Sequence, residues 1–240
     1  MNQSPMTLAI SSSDGWIPSK DKVVIMQLEY DVDDSGNRFL SGRLFENVQF
    51  SDLEIAPRMG SPIRIEDCRF LNCSTSLGTC LIRRGTTLDS VVFSNLDCGD
   101  AIHVSSEVCL NRVVIEGKKP KSLFIKPQDR ETFKMPEVPD TDFQLDITNF
   151  SGTVDIEGLR GNMVRKDPSR HVTIQAKWRD EVDWKGMGIG GSSYWKIFVR
   201  KLAYNNADEG VFSLPGRSHD DFSEVMHQKE LLKNAGLRFD

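Results

Sequence analysis

Two apolar rows recur along this chain with the same period, and that pattern limits the fold more than any other feature. The strings FENVQFSDLEI (45–55), IEDCRFLNCST (65–75), LDSVVFSNLDC (88–98) and LNRVVIEG (110–117) can be laid on one another, with Phe50, Phe70, Phe93 and Ile115 at their centres. The steps between these centres are 20, 23 and 22 residues. A second row, Ile82, Val104 and Ile125, follows with steps of 22 and 21. Periods of roughly 20 to 50 residues signal stacked repeats. Alternation such as Val91-x-Phe93 and Ile102-x-Val104 is the period of a strand. Each coil is too small to bury its apolar side alone, so stacking must create the core. A β-sandwich with strands every 8–12 residues or so also fits the gaps within each repeat. The shared register of both rows favours the solenoid, with a coil of about 22 residues.

VQFSDL (48–53), CRFLNC (68–73) and VVFSNL (91–96) resemble pentapeptide-repeat units. In that family a small apolar residue stands two before a central Phe or Leu, and another small residue follows three later. Phe45, Phe50 and Ile55 also keep a spacing of five. The coil is longer than four perfect pentapeptides, so the chain resembles an irregular relative, similar also to the wider pectin-lyase-like group. The resemblance covers about a quarter of the chain. It implies a right-handed parallel β-helix of bacterial style.

The remaining segments suggest two parts. Residues 1–178 read as the solenoid, with 1–20 as loose chain or an edge cover. VVIMQLEY (23–30) reads as an edge strand ending at the turn Asp33-Asp34-Ser35-Gly36-Asn37. Pro127, Pro136 and Pro139 mark an insertion loop over 126–141, because proline removes ladder donors. HVTIQAKW (171–178) reads as a further strand of the last coil. Residues 179–240 read as a cap or appendage, since a solenoid end exposes its core and needs a cover. There, Trp195, Phe198, Val199 and Leu202 have helical spacing behind a Ser192 or Ser193 cap, while the alternation of Trp195, Ile197 and Val199 leaves a strand open. A terminal helix is expected over 220–235, with Ser218 or Asp220 as cap, Phe222, Val225, Met226 and Leu232 on one face, and Gly236 as stop.

Composition narrows the functional classes. A net charge of −5 argues against a general nucleic-acid binder, which needs a basic footprint. No apolar run approaches the roughly 18 residues of a spanning helix, and no leader pattern is visible at the start, so no membrane role is expected. The five cysteines (68, 73, 80, 98 and 109) are odd in number and form no CxxC pair. They read as small buried side chains of a soluble, cytoplasmic protein.

Chemistry-bearing motifs are sparse. GIGGSS (188–193) lacks the Lys-Ser/Thr ending of a phosphate loop and reads as a connector. The four histidines show no metal spacing, and neither a metal nor another cofactor is expected. The best catalytic candidate is the corner that carries Asp97, Asp100 and His103, because glycan-cleaving sites need two carboxylates at a set separation. His103 should point outward between Ile102 and Val104. Arg83 and Arg84 with Lys118, Lys119 and Lys121 form basic corners, read chiefly as a solvated rim. Trp184 and Trp195 complete the candidate binding residues.

The expectation is a non-catalytic module that binds a protein partner, in one concrete form an immunity or inhibitor protein that neutralises a toxin or enzyme. A long rigid solenoid face suits that role. Two alternatives stay open: a carbohydrate-active β-helix enzyme or lectin using Asp97, Asp100 and His103, and a structural subunit of a phage or secretion assembly. The oligomeric state is open in each case.

Overall fold

A computed structural model describes residues 23–25, 27–57 and 61–240. It is mostly β: a parallel solenoid of about five turns, about 23 residues each, followed by a few helices. The chain runs round four faces in order. Face 1 holds Arg38–Ser41, Ile63–Glu66, Thr86–Asp89 and Cys109–Asn111. Face 2 holds Leu44–Glu46, Arg69–Leu71, Val92–Ser94, Val113–Glu116, Leu145–Asp146 and Val164–Arg165. Face 3 holds Val48–Phe50 and Ser74–Thr75. Face 4 holds Leu53–Ile55, Cys80–Ile82, Ala101–Ser105, Ser122–Lys126 and Thr153–Glu157.

The corners explain why the chain turns where it does. Gly42, Asp67, Ser90 and Arg112 stand between faces 1 and 2, and Asn47, Asn72, Asn95 and Gly117 between faces 2 and 3; all have positive φ. Asn and Asp tolerate this left-handed region better than most residues. Each of these amides donates to a carbonyl of the next coil, as Asn47 does to Leu71 and Asn72 to Ser94. Gly117 is also required by space: a Cβ there would lie 2.2 Å from Asn95 Oδ1.

Inside, side chains stack rung on rung. The register pairs Ile55, Ile82, Val104, Ile125 and Ile156 along face 4, so the second expected row is real and longer at both ends. The first row needs one correction. Phe70 pairs with Phe45, not Phe50, and continues to Phe93 and Ile115. Phe50 turns inward from face 3, opposite Thr75. The five-residue spacing of Phe45 and Phe50 moves a residue by one face, so either phenylalanine satisfies the pattern. The rings of Phe45, Phe70 and Phe93 stack at 4.9 and 5.0 Å. The cysteines are not joined by disulfides; four are buried and Cys109 is half-buried. Burial pushes the Cys68 and Cys109 thiols up.

Residues 1–20 lie outside the described residues. Within 23–30, Val23–Ile25 forms a strand that pairs parallel with Val48–Phe50. The turn after it is held by Asp33 Oδ1, which accepts from the amides of Ser35 and Asn37, both at 2.9 Å.

A second core follows the solenoid. His171–Gln175 is a strand, but it pairs antiparallel with Glu209–Ser213 and is no rung of the last coil. Glu209–Ser213 in turn pairs antiparallel with Thr153–Glu157, so face 4 runs on into the C-terminal unit. Successive side chains of a strand point to opposite sides. Val211 thus enters the solenoid core while Phe212 enters the second core. Gly210 permits the close approach, since a Cβ there would meet Ile156 O at 2.2 Å. Three helices complete the unit: α1 (Trp178–Glu181), α2 (Tyr194–Tyr204) and α3 (Phe222–Asn234). Ser193 caps α2 by accepting from the Lys196 amide. Asp221 stands at the start of α3, one residue beyond the expected Asp220, and Gly236 follows it with φ 92°. The insertion loop contributes Phe133 to the second core.

Candidate functional site

The parallel pairing of face 4 aligns one outward residue from each strand. In order along the solenoid these are Glu54, Leu81, His103, Phe124 and Asp155, and antiparallel pairing adds Phe212. The row changes character along its length. Phe212 is buried and Asp155 nearly so, because α2 lies across them. Leu81 and Phe124 are half-buried, and His103 is exposed, as its position between two inward residues predicts.

Around this open stretch the groups are specific. The His103 and Phe124 rings are 5.2 Å apart, and Lys126 Nζ sits 4.7 Å from the centre of the Phe124 ring. A shallow depression of about 140 Å³ lies among Leu81, Arg83, His103, Phe124 and Lys126. Arg83 Nε pairs with Glu54 Oε1 at 3.2 Å, and Lys126 Nζ with Asp155 Oδ2 at 3.1 Å. Partial burial, then the Lys126 and Arg83 cations, hold the His103 imidazolium pKa below its ordinary value, so the neutral ring is favoured. The patch therefore offers an apolar floor with cations at its rim, on a sheet whose strands are locked on both sides.

The two candidate carboxylates are elsewhere. Asp97 pairs with Lys119 and Asp100 with Lys121, each one coil on, at the corner before face 4. The Lys121 hydrogen bond and charge hold the Asp100 carboxyl below the usual carboxylate range. Among the described residues, neither carboxylate hydrogen-bonds His103. The geometry thus gives each acid a lysine partner and does not assemble an acid–base pair with the imidazole.

The basic residues do not form one stripe. Arg83 and Arg84 follow the strand Cys80–Ile82, whereas Lys118 and Lys119 precede the strand Ser122–Lys126. They stand at opposite edges of face 4. The backbone amide of Arg84 donates to Gln128 Oε1 at 3.4 Å and that of Lys118 to Asn95 Oδ1 at 2.9 Å. Trp184 and Trp195 are buried in the second core. Trp184 Nε1 donates to Trp178 O at 3.1 Å and Trp195 Nε1 to Val225 O at 3.3 Å. Their surfaces are spent on packing and offer no exposed aromatic platform.

Sequence reasoning missed the charged junction beneath α2. Tyr194, Phe198, Lys201 and Asn205 form one stripe of that helix, and it faces the outer side of face 4. Glu157 is fully buried there; Lys201 Nζ lies 3.2 Å from its Oε1, and Asn205 donates to its Oε2. Lys201 also pairs with Asp155. Burial raises the Glu157 carboxyl above its usual range, against the pull of Asn205 and Lys201. No local signal announces this cluster, because an Asp-x-Glu strand and a helical lysine are individually ordinary surface patterns.

Among the described residues, no group of three His, Cys, Asp or Glu side chains is placed to hold a metal ion. No helix among them is long and apolar enough to cross a membrane. No protein-family model, curated protein or solved structure matches this chain.

Proposed function

We propose that this protein is a non-catalytic binding module and that the open stretch of face 4 docks a protein partner, in the manner of an inhibitor or immunity protein. The observation that carries the reading is the change along one row: α2 covers Asp155 and Phe212, while Leu81, His103 and Phe124 remain uncovered on the same sheet. Apolar and aromatic side chains on a rigid surface are the usual anchors of protein interfaces. Leu81 and Phe124 suit a partner that brings an apolar side chain, and the rim of paired charges, Arg83 with Glu54 and Lys126 with Asp155, suits a mixed polar surround. The five cysteines, not joined by disulfides, support action in a reducing compartment such as the cytoplasm.

The test uses the full chain as bait in a lysate of its source cells, beside Leu81→Glu and Phe124→Glu. A partner held by the wild type should bind each variant at least about thirtyfold more weakly, the loss expected of an interface anchor. The variants should keep the wild-type melting temperature. A partner retained equally by all three chains would contradict the assignment of this face.

A further inference from the structure

Helix α2 shows how face 4 is covered where it is covered. Along the helix, Tyr194 donates to Ser213 O, Phe198 meets the Phe212 ring at 4.2 Å, Lys201 reaches Asp155 and Glu157, and Asn205 donates to Glu157. These contacts follow the paired strands Glu209–Ser213 and Thr153–Glu157 from end to end, so α2 runs along them, above the line between the two. The lengths agree: eleven helical residues at about 1.5 Å each span about 16 Å, as do five strand residues at about 3.3 Å each. The next two strands, Ser122–Lys126 and Ala101–Ser105, are also five residues long and carry no helix among the described residues. Strands lie about 4.8 Å apart, so the line between this second pair is about 10 Å from the line beneath α2. Packed helices lie about 8–10 Å apart. A second helix laid beside α2 therefore sits over Phe124 and His103.

The flank of α2 that such a helix would meet is apolar. Tyr194, Phe198, Lys201 and Asn205 face the sheet, while Trp195, Val199 and Leu202 enter the second core. Ile197 and Tyr204 lie two turns apart on the flank that adjoins the sheet on the other side, and are 46% and 66% exposed. The Arg130 guanidinium sits 4.2 Å from the centre of the Tyr204 ring, and Arg130 belongs to the loop that leaves the strand Ser122–Lys126. This flank thus looks towards the uncovered strands. Floor and wall together make a groove, with Leu81, His103 and Phe124 below and Ile197 and Tyr204 at the side. A partner strand cannot extend the sheet here, because Cys80–Ile82, Ala101–Ser105 and Ser122–Lys126 are paired along both edges. His103 favours the neutral ring, so covering it does not bury a charge.

We propose that the groove receives an amphipathic helix of the partner protein, about three turns long, which lies beside α2 and along the strands. One part of its apolar stripe packs on Leu81 and Phe124, and the other on Ile197 and Tyr204. This inference rests on face 4 being the docking face and names the element that docks.

Floor and wall variants of the full chain separate the two readings, each measured against the partner that the wild type captures. Leu81→Glu spoils the floor, and Ile197→Glu and Tyr204→Glu spoil the wall at exposed positions. All three should weaken binding, the wall variants by about tenfold each, at the wild-type melting temperature. A partner lost by Leu81→Glu but held at wild-type strength by both wall variants would overturn the helix and leave the docking face standing. A partner held equally by all three, or none captured, would overturn both. The geometry is read by His103→p-benzoylphenylalanine and Tyr204→p-benzoylphenylalanine, photoactivated in the complex. They should mark a single partner segment at residues three, four or seven apart. Marks at alternate residues, as in a strand, or in unconnected segments would overturn the proposal, as would marks within this chain or on a second copy of it.

Discussion

In the solenoid, Phe70 stacks on Phe45 and Phe93, its equivalents one coil away. In the C-terminal unit, Trp195 meets Phe239 edge-on, and the same Phe239 meets Trp178. The first kind of core is built from nearest neighbours, each rung repeating the last. The second is built from segments far apart in sequence: the insertion loop through Phe133, the strand His171–Gln175, α2, α3 and the chain end. The two also differ in what they bury. The inward rows of the solenoid are mainly aliphatic, aromatic or cysteine side chains. The junction and the second core enclose Glu157, His171, Thr173 and Gln228. A repeat core should tolerate a local defect, since stability there approximates a sum of coil terms. A core with buried charge and long-range closure should fail as a unit.

Four tests sharpen this contrast. The largest effects come from emptying each core. Phe70→Ala and Trp195→Ala should each cost about 3–5 kcal/mol in urea unfolding. The solenoid variant should broaden the transition, and the tryptophan variant should release the C-terminal unit alone, seen as a separate early step by fluorescence. Lys201→Met comes next. It strands Glu157 in a site without solvent and should cost about 3 kcal/mol. The double variant Lys201→Met with Glu157→Leu should recover most of that loss.

Acid supplies the third test. His171 is buried, both ring nitrogens lack hydrogen-bond partners among the described residues, and burial chiefly depresses its pKa to about 4. The unfolded chain, with an ordinary histidine near 6.5, then binds more protons than the folded one in this range. Stability must therefore fall as pH drops from about 6.5 towards 4, by about 2 kcal/mol between pH 7 and pH 5. His171→Leu should flatten that slope and should not lower stability at pH 7. The smallest effect belongs to the corners. Asn72→Ala removes a side chain that tolerates φ 52° and accepts from Asn95 Nδ2, and should cost about 1 kcal/mol, whereas Asn72→Gly, free of the Cβ penalty there, should cost less.

The contrast also explains what the sequence made legible. The row Ile82, Val104 and Ile125 was readable because each residue repeats at a fixed step and faces one core. Phe50 was set in the first row in place of Phe45 because five residues carry the chain round one face, so both phenylalanines match the pattern. Helix α2 was readable from Trp195, Val199 and Leu202, whose spacing follows its buried stripe. Its other stripe, with Lys201 and Asn205, was not readable, since its partners Asp155 and Glu157 lie on a strand far back in the chain. Glu209–Ser213 was likewise missed: EGVFS is too short and too mixed to announce a strand that joins two cores. Of the candidate site, His103 and its outward direction were readable, but its neighbours Leu81 and Phe124 emerge only from the register. Asp97 and Asp100 stood out as a carboxylate pair beside a turn, and their lysine partners one coil away are invisible to a local motif.

Hydrogen exchange of the Lys201→Met variant tests the two-core account most directly. If the cores are separable and joined at the Glu157 junction, amides of His171–Gln175, α2 and Glu209–Ser213 should lose protection. Those of Cys80–Ile82, Ala101–Ser105 and Ser122–Lys126 should keep wild-type rates. Equal loss in both groups would show one cooperative core and contradict the account.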